Sequence, residues 1–263
     1  MKTLTRVPIF NYSTIATTLL LSSKSLEIKF RKKFLTAETI FELESILAWT
    51  ASHTEVQSLL ITSVGDEFIQ GFEIDELKKL TPTKLKKLYQ KLHTIAESFQ
   101  CLPQTVVVDL KNGTKGVGLE LALAADIRIC SNDAVFCFNQ LSMGITPSCG
   151  LFSFQRNNLN QNVLRSLLLS GIEFNKESLI ALGGWCEVNS NTDSILMNIF
   201  KQAPIARIQA KKALYGLKDS KNNEELKNEK KIFNSVIESR DYTRDENFMT
   251  LNEYKSSFVE INN

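Results

Sequence analysis

Short apolar and β-branched blocks dominate the first half of the chain, and apolar positions at helical spacing dominate the second. Ser13 to Leu21 and Ser25 to Phe30 are β-like runs separated by a short polar turn, which predicts an opening hairpin. After the basic stretch Arg31-Lys32-Lys33, Ile40, Leu43, Ile46 and Leu47 recur at helical spacing, with Thr36 placed to cap them. Ser58-Leu59-Leu60-Ile61-Thr62 has the character of a buried strand and ends at Gly65 and Asp66. A helix follows from about Thr83 to Gln100, closed by Pro103. Thr105 to Leu110 is a β-branched strand that leads through a glycine-containing turn into the apolar run Leu119 to Ala125. Asp126 to Cys130 then alternates like a strand.

Strands and helices in alternation predict an α/β core with a largely parallel sheet and helices packed outside it. After Pro147 helical periodicity takes over, with Val163, Leu164, Leu167 and Leu168 on one face. Further helices are expected near Lys176–Leu182, Thr192–Phe200, Ile205–Leu214 and Glu224–Glu238. The last is charged on most faces, and its thin stripe of Leu226, Ile232, Phe233 and Val236 predicts packing on a neighbouring subunit. No internal repeat, low-complexity tract or long linker interrupts the chain.

Composition narrows the function classes. A length of 263 residues allows one large domain or two unequal parts, read here as a core over residues 1–195 and a helical region over 196–263. The 43% hydrophobic and 23% charged fractions exclude disordered, collagenous and coiled-coil classes. With 31 basic residues against 29 acidic ones, a net charge of +2 predicts no nucleic-acid partner. No apolar run reaches the ~18–20 residues of a membrane helix, and Met1 to Pro8 lack the layout of a secretion signal, so no membrane partner is expected. Cys101, Cys130, Cys137, Cys149 and Cys186 are odd in number and widely spaced. They read as free thiols in a reducing cytoplasm, with no metal site. His53 and His93 fall in predicted helices among charged neighbours and read as surface or half-buried residues, which argues against a triad hydrolase.

Chemistry is expected where strands end on glycine. Phe68-Ile69-Gln70-Gly71-Phe72 follows one strand, and Gly116-Val117-Gly118-Leu119-Glu120 follows another. The crevice beyond strand carboxyl ends is the usual ligand position in such sheets, and a helix starting there offers unpaired N–H groups. The N–H groups of Phe72 and Val117 can converge as an oxyanion hole. Glycine spacing alone reads first as two ordinary strand-to-helix turns, which are common in α/β domains.

A series of motifs, in order, resembles the crotonase (enoyl-CoA hydratase/isomerase) superfamily. Asp66 to Ile74 is similar to its G-x-A-F-x-A-G-x-D-L element. Thr105 to Ala122 runs without a gap along P-V-I-A-A-V-N-G-x-x-x-G-G-G-x-E-L-A, and Ala124 to Cys130 along A-x-D-I-R-I-A. Phe136 to Pro147 resembles F-x-x-P-E-x-x-x-G-x-x-P. Leu167 to Gly171, Glu177 to Val188 and Ala203 to Lys211 resemble L-L-L-T-G, E-A-x-x-L-G-L-V and S-P-x-A-x-x-x-x-K. The resemblance covers about residues 13 to 240. It implies a spiral ββα core with a helical C-terminal trimerisation region, assembled as a homotrimer or hexamer. It also implies an acyl-CoA or acyl-carrier thioester as partner and substrate, with no separate cofactor. Phe72 and Val117 fall on the two oxyanion donors, and Glu120 on the first of two catalytic glutamates.

The departures from the family pattern matter as much. Phe138-Asn139-Gln140 stands where the second glutamate is expected, and Gln140 can hold a water but cannot exchange a proton near neutral pH. The loop Arg31-Lys32-Lys33-Phe34-Leu35-Thr36 is shorter than the family's. Arg31 and Lys32 are candidates to meet coenzyme A phosphates, or belong to a solvated hairpin exit. Gln70 and Gly71 lie where the substrate passes, with Ile69 and Gln70 bulkier than usual. Cys149 reads as a small core thiol, Asp126 as a structural carboxylate and Asp133 as a surface turn. Two functions follow. One is a diverged hydratase/isomerase-type enzyme using Glu120 as its sole acid/base with Gln140 as orienting group. The other is a protein that kept the fold and serves as an acyl-CoA-binding or assembly subunit.

Overall fold

The β-branched blocks pair into one twisted sheet whose two faces are buried by different helices. The computed structural model describes residues 6–153, 158–188 and 191–215, together with Lys230, Lys231, Phe233, Asn234 and Ile237. In chain order the strands are β1 (Arg6–Asn11), β2 (Ile15–Leu20), β3 (Ser25–Phe30), β4 (Ser58–Ser63), β5 (Thr105–Asp109), β6 (Gly113–Lys115), β7 (Ile127–Cys130), β8 (Val135–Cys137), β9 (Phe174–Asn175) and β10 (Glu187–Val188). The helices are α1 (Ala37–Ser52), α2 (Ile74–Lys79), α3 (Pro82–Cys101), α4 (Val117–Ala124), α5 (Gln161–Ser170), α6 (Lys176–Leu182), α7 (Thr192–Lys201) and α8 (Pro204–Tyr215).

The larger sheet has the order β1-β2-β3-β4-β5-β7-β10, antiparallel from β1 to β3 and parallel from there on. Alternation decides which face each residue serves. Leu59, Ile61, Val106 and Val108 enter the main core, to which α1 and α3 contribute Leu43, Ile46, Leu85 and Leu92. Leu60, Val107 and Ile129 point the other way and are covered by Leu196 and Ile199 of α7. At the outer edge, β1 carries Pro8, and its register on β2 shifts between Pro8 and Asn11. A smaller sheet, β6-β8-β9, lies beside the entrance to α4.

Local chemistry explains the helix starts. Thr36 caps α1 through a box with Thr39: the Thr39 N–H donates to Thr36 Oγ1 at 3.2 Å and the Thr36 N–H to Thr39 Oγ1 at 3.3 Å. Such a cap contributes about 1 kcal/mol. Thr81 accepts from the Lys84 N–H at 3.4 Å, and Pro82 starts α3 at a position that needs no N–H donor.

The expected strand–helix order is observed, with additions and two corrections. β1, β10, α2 and the smaller sheet are additional elements. The expected C-terminal helix lies largely outside the described residues, including Leu226, Ile232 and Val236. Phe233 and Ile237, however, are buried in the chain's own core. The Phe233 ring lies 4.1 Å from that of Tyr89, so this part of the stripe is covered from within rather than by a neighbouring subunit. His93, expected near the surface, is 4% exposed because it lies on the inward face of α3, with Nε2 3.3 Å from Ser153 Oγ. His53 ends α1 and stacks on Trp49 at 3.7 Å.

Asp126 does act structurally, as a half-buried junction. Its Oδ2 accepts from the Val106 N–H at 2.7 Å and from Lys211 Nζ at 2.7 Å, and its Oδ1 accepts from Tyr215 at 2.8 Å. Lys211 also donates to the carbonyls of Phe99 at 2.7 Å and Gln104 at 2.8 Å. Burial lowers the Lys211 pKa, against the attraction of Asp126. One ammonium thus ties α8 to the end of α3 and the start of β5. Lys211→Ala leaves the half-buried Asp126 carboxylate short of its cation and is expected to lower the unfolding free energy by about 3 kcal/mol in urea titration. A loss below about 1 kcal/mol would show that the junction does not hold α8.

Candidate active site

The segment after β4 is clamped between two others. On one side the Phe68 N–H donates to Gly113 O at 2.9 Å, and the Lys115 N–H donates to Ile69 O at 3.2 Å. On the other, the Gln70 N–H donates to Lys33 O at 2.9 Å. The Leu35 N–H donates to Gly71 O at 2.8 Å and the Glu73 N–H to Leu35 O at 3.1 Å. Because alternate backbone groups face opposite sides of an extended strand, this pairing turns the Phe72 N–H away from Leu35. Among the described residues it has no acceptor. The Val117 N–H, first in α4, also has none, as expected for the opening turn of a helix.

Glycine lets these two loops touch. Gly71 has φ +100°, a conformation side chains rarely adopt, while a Cβ there would meet nothing closer than 3.9 Å. Gly116 has φ +55°, and a Cβ on it would lie 2.5 Å from Asn139 Oδ1 and 3.7 Å from Gly71 Cα. A Cβ on Gly118 would lie 2.3 Å from Ile69 O and 2.4 Å from Thr114 Oγ1. The first turn of α4 therefore packs directly on the backbone of the Phe72 loop.

Glu120 stands one turn into α4 with no exposed surface. Its Oε1 accepts from Gln140 Nε2 at 2.7 Å and its Oε2 accepts from the Cys149 N–H at 2.8 Å. Donors on both oxygens are the complement of a carboxylate. They also fix the neighbouring amide. Gln140 must turn its Nε2 to Glu120, so its Oε1 points elsewhere and has no partner among the described residues.

Arg31 and Lys32 are exposed on the loop that leads into the clamp, beside Gln70 and Gly71 in the fold. The Arg31 guanidinium bonds the Asn11 side chain, and Lys33 pairs with Glu67 at 2.5 Å. Gln70 is buried, with Nε2 3.5 Å from Phe68 O. The thiol of Cys149 is likewise buried, and its neighbour Glu120 meets the main chain at this position.

Sequence reasoning passed over Tyr89, Asn139, Ser148 and the Cys149 amide. Tyr89 is 2% exposed, and its ring centroid lies 5.3 Å from that of Phe72. Burial raises the pKa of its hydroxyl well above the ordinary value of 10.0, with Cys149 and Glu120 adding to the effect. Among the described residues ten buried side-chain N or O atoms lack a partner, and five of them are Tyr89 Oη, Asn139 Oδ1, Gln140 Oε1, Thr146 Oγ1 and Ser148 Oγ. Unsatisfied polar groups are rare in protein cores, and three of these, on Tyr89, Gln140 and Ser148, adjoin Glu120 directly or through Cys149, which makes their surroundings a candidate place for a polar ligand. Among the described residues no group of three His, Cys, Asp or Glu could hold a metal, and no helix is long and apolar enough to cross a membrane.

Comparison with known proteins agrees with this architecture. The family described as Enoyl-CoA hydratase/isomerase matches residues 25–258. The chain belongs to that family. It is 22% identical over 187 residues to the short-chain-enoyl-CoA hydratase of Clostridium acetobutylicum, spanning 68% of this chain and 72% of the relative. A probable enoyl-CoA hydratase of Bacillus subtilis is 26% identical over 217 residues, spanning 79% and 83% of the two chains. The crystal structure of enoyl-CoA hydratase from Bacillus halodurans superposes with a TM-score of 0.79 at 22% identity, covering 89% of this chain and 98% of that one. At that identity the superposition shows a shared crotonase fold.

Two outcomes are expected from this geometry. Gly118→Ala forces its new methyl group onto Ile69 O and should destabilise the chain by about 1–3 kcal/mol in chemical denaturation; an unchanged midpoint would contradict the close packing. Tyr89 has a folded-state pKa above its unfolded value. Its stabilising contribution is therefore complete below about pH 10 and is lost as pH rises beyond it. Tyr89→Phe should flatten the fall of stability above about pH 10, measured by urea titration across pH; an equally steep fall would show that the phenol is not buried.

Proposed function

We propose that the chain is an acyl-thioester enzyme of the hydratase/isomerase type, with a coenzyme A thioester as substrate and no further cofactor. The observation that carries this reading is the buried Glu120 carboxylate, held on both oxygens near two touching loops whose Phe72 and Val117 N–H groups lack acceptors. Those N–H groups receive the thioester oxygen and hold the charge that gathers on it as an enolate forms. In hydration, the oxygen of water bonds to the β-carbon while the C=C electron pair moves through the α-carbon to the thioester oxygen. Glu120 takes the proton that water loses. It returns that proton to the α-carbon as the carbonyl re-forms, so one water is added and the carboxylate is restored.

Gln140 cannot share the proton transfer, which leaves Glu120 as the only titratable partner of the pair. The Gln140 Nε2 steadies Glu120, and its Oε1 accepts a hydrogen bond from the water or from a β-hydroxyl. Isomerisation of a double bond uses the same single base. Arg31 and Lys32 meet the phosphates, and Gln70 and Gly71 flank the passing pantetheine; an acyl-carrier thioester presents the same reacting group. A core over 1–195 and an assembly region over 196–263, joined as a homotrimer or hexamer in the cytoplasm, belong to the same proposal. The five free cysteines suit a reducing compartment.

A second reading is favoured by Gln140 itself. Without a second acid, the same pocket serves a subunit that binds acyl-CoA and does not turn it over. A panel of enoyl-CoA thioesters, followed by loss of the conjugated-thioester absorbance, separates the two. Glu120→Gln is expected to lower kcat/KM by about 10²–10⁴-fold, and Gln140→Glu to raise hydration. Binding without turnover of any thioester selects the second reading, and no binding overturns both.

A further inference from the structure

The cavity beside Glu120 has a polar far wall. Lys86, Tyr89 and His93 share one face of α3 at helical spacing and line it together with Ser148, Lys230 and Phe233. Its position follows from two contacts already described. The Tyr89 ring packs on Phe72, and Ser148 precedes Cys149, whose N–H holds Glu120. An acyl group seated on the Phe72 loop with its reacting carbons at Glu120 has this cavity within reach of its far end.

The wall is unusual for a fatty-acyl tail. The Tyr89 and Ser148 hydroxyls are buried, at 2% and 5% residue exposure, and among the described residues neither has a hydrogen-bond partner. Leaving such groups unsatisfied beside an alkyl chain incurs the desolvation cost of an unpaired buried hydroxyl. A carboxylate removes that cost, since its two oxygens accept from two O–H donors. The charge of the lining suits it too, because Lys230 contributes an ammonium group and no described lining residue is acidic. The raised pKa of Tyr89 keeps its hydroxyl a donor.

We propose that Tyr89 and Ser148 determine specificity by receiving a carboxylate at the far end of the acyl group, so that the preferred substrate is the half-thioester of a dicarboxylic acid. The inference rests on the acyl-thioester reading above and specifies its substrate class.

Calorimetric binding to the full chain tests it with probes paired by carbon number: succinyl-CoA against butyryl-CoA, and adipyl-CoA against hexanoyl-CoA. In at least one pair the carboxylate-ended probe is expected to bind about tenfold or more tightly. Tyr89→Phe and Ser148→Ala should each shrink that margin at least threefold. Both remove a hydroxyl that bonds nothing among the described residues, and thermal melting verifies that the variants remain folded. Margins below about tenfold in both pairs, or margins that neither variant reduces threefold, overturn the inference while leaving the thioester reading intact. Failure of every thioester to bind overturns that reading and the inference with it.

Discussion

A carboxylate sealed from water must be met by donors on each oxygen, and this requirement organises the centre of the molecule. Glu120 meets it with one side-chain amide and one main-chain amide, Gln140 Nε2 and the Cys149 N–H, drawn from separate stretches of the loop region after β8. The carboxylate thereby fastens that region to α4. It also dictates the orientation of Gln140. An amide flipped the other way would set oxygen against oxygen in a buried space, where nothing could relieve the repulsion.

The same economy of space governs the approach of α4 to the Phe72 loop. Gly118 leaves room for Ile69 O, and Gly116 leaves room for Asn139. Substrate chemistry of the kind proposed needs main-chain groups from distant segments placed within a few ångströms of one another. Here that placement comes from omitted side chains at two positions, backed by the clamp of Lys33 to Leu35 on Gln70 to Glu73.

Long periodic elements were legible in the sequence because their patterns repeat several times. α1 and its Thr36 cap, β4, α3, β5 and α5 to α8 all lie close to their expected positions. The smaller sheet was not legible, since strands of two or three residues such as β6 and β9 carry no complete alternation. At the site, Glu120, Gln140 and the two glycine loops stood out through family resemblance. The part played by Cys149 did not, because its contribution is a backbone N–H that any residue supplies. Tyr89 sits at an inward helical position where an aromatic reads as core, and only the orphaned hydroxyl distinguishes it. His93 and Phe233 were misplaced for a related reason: charged neighbours along the chain conceal an inward-facing position.

The outer margins of the larger sheet carry a further consequence. At one end β1 interrupts its row of N–H donors with Pro8 and slips in register just beyond it; at the other, β10 is two residues long. Among the described residues neither margin offers the long, regular row of unpaired amides that templates strand addition between molecules. The sheet is thereby guarded against edge-to-edge fibril growth, a safeguard independent of whatever the pocket binds.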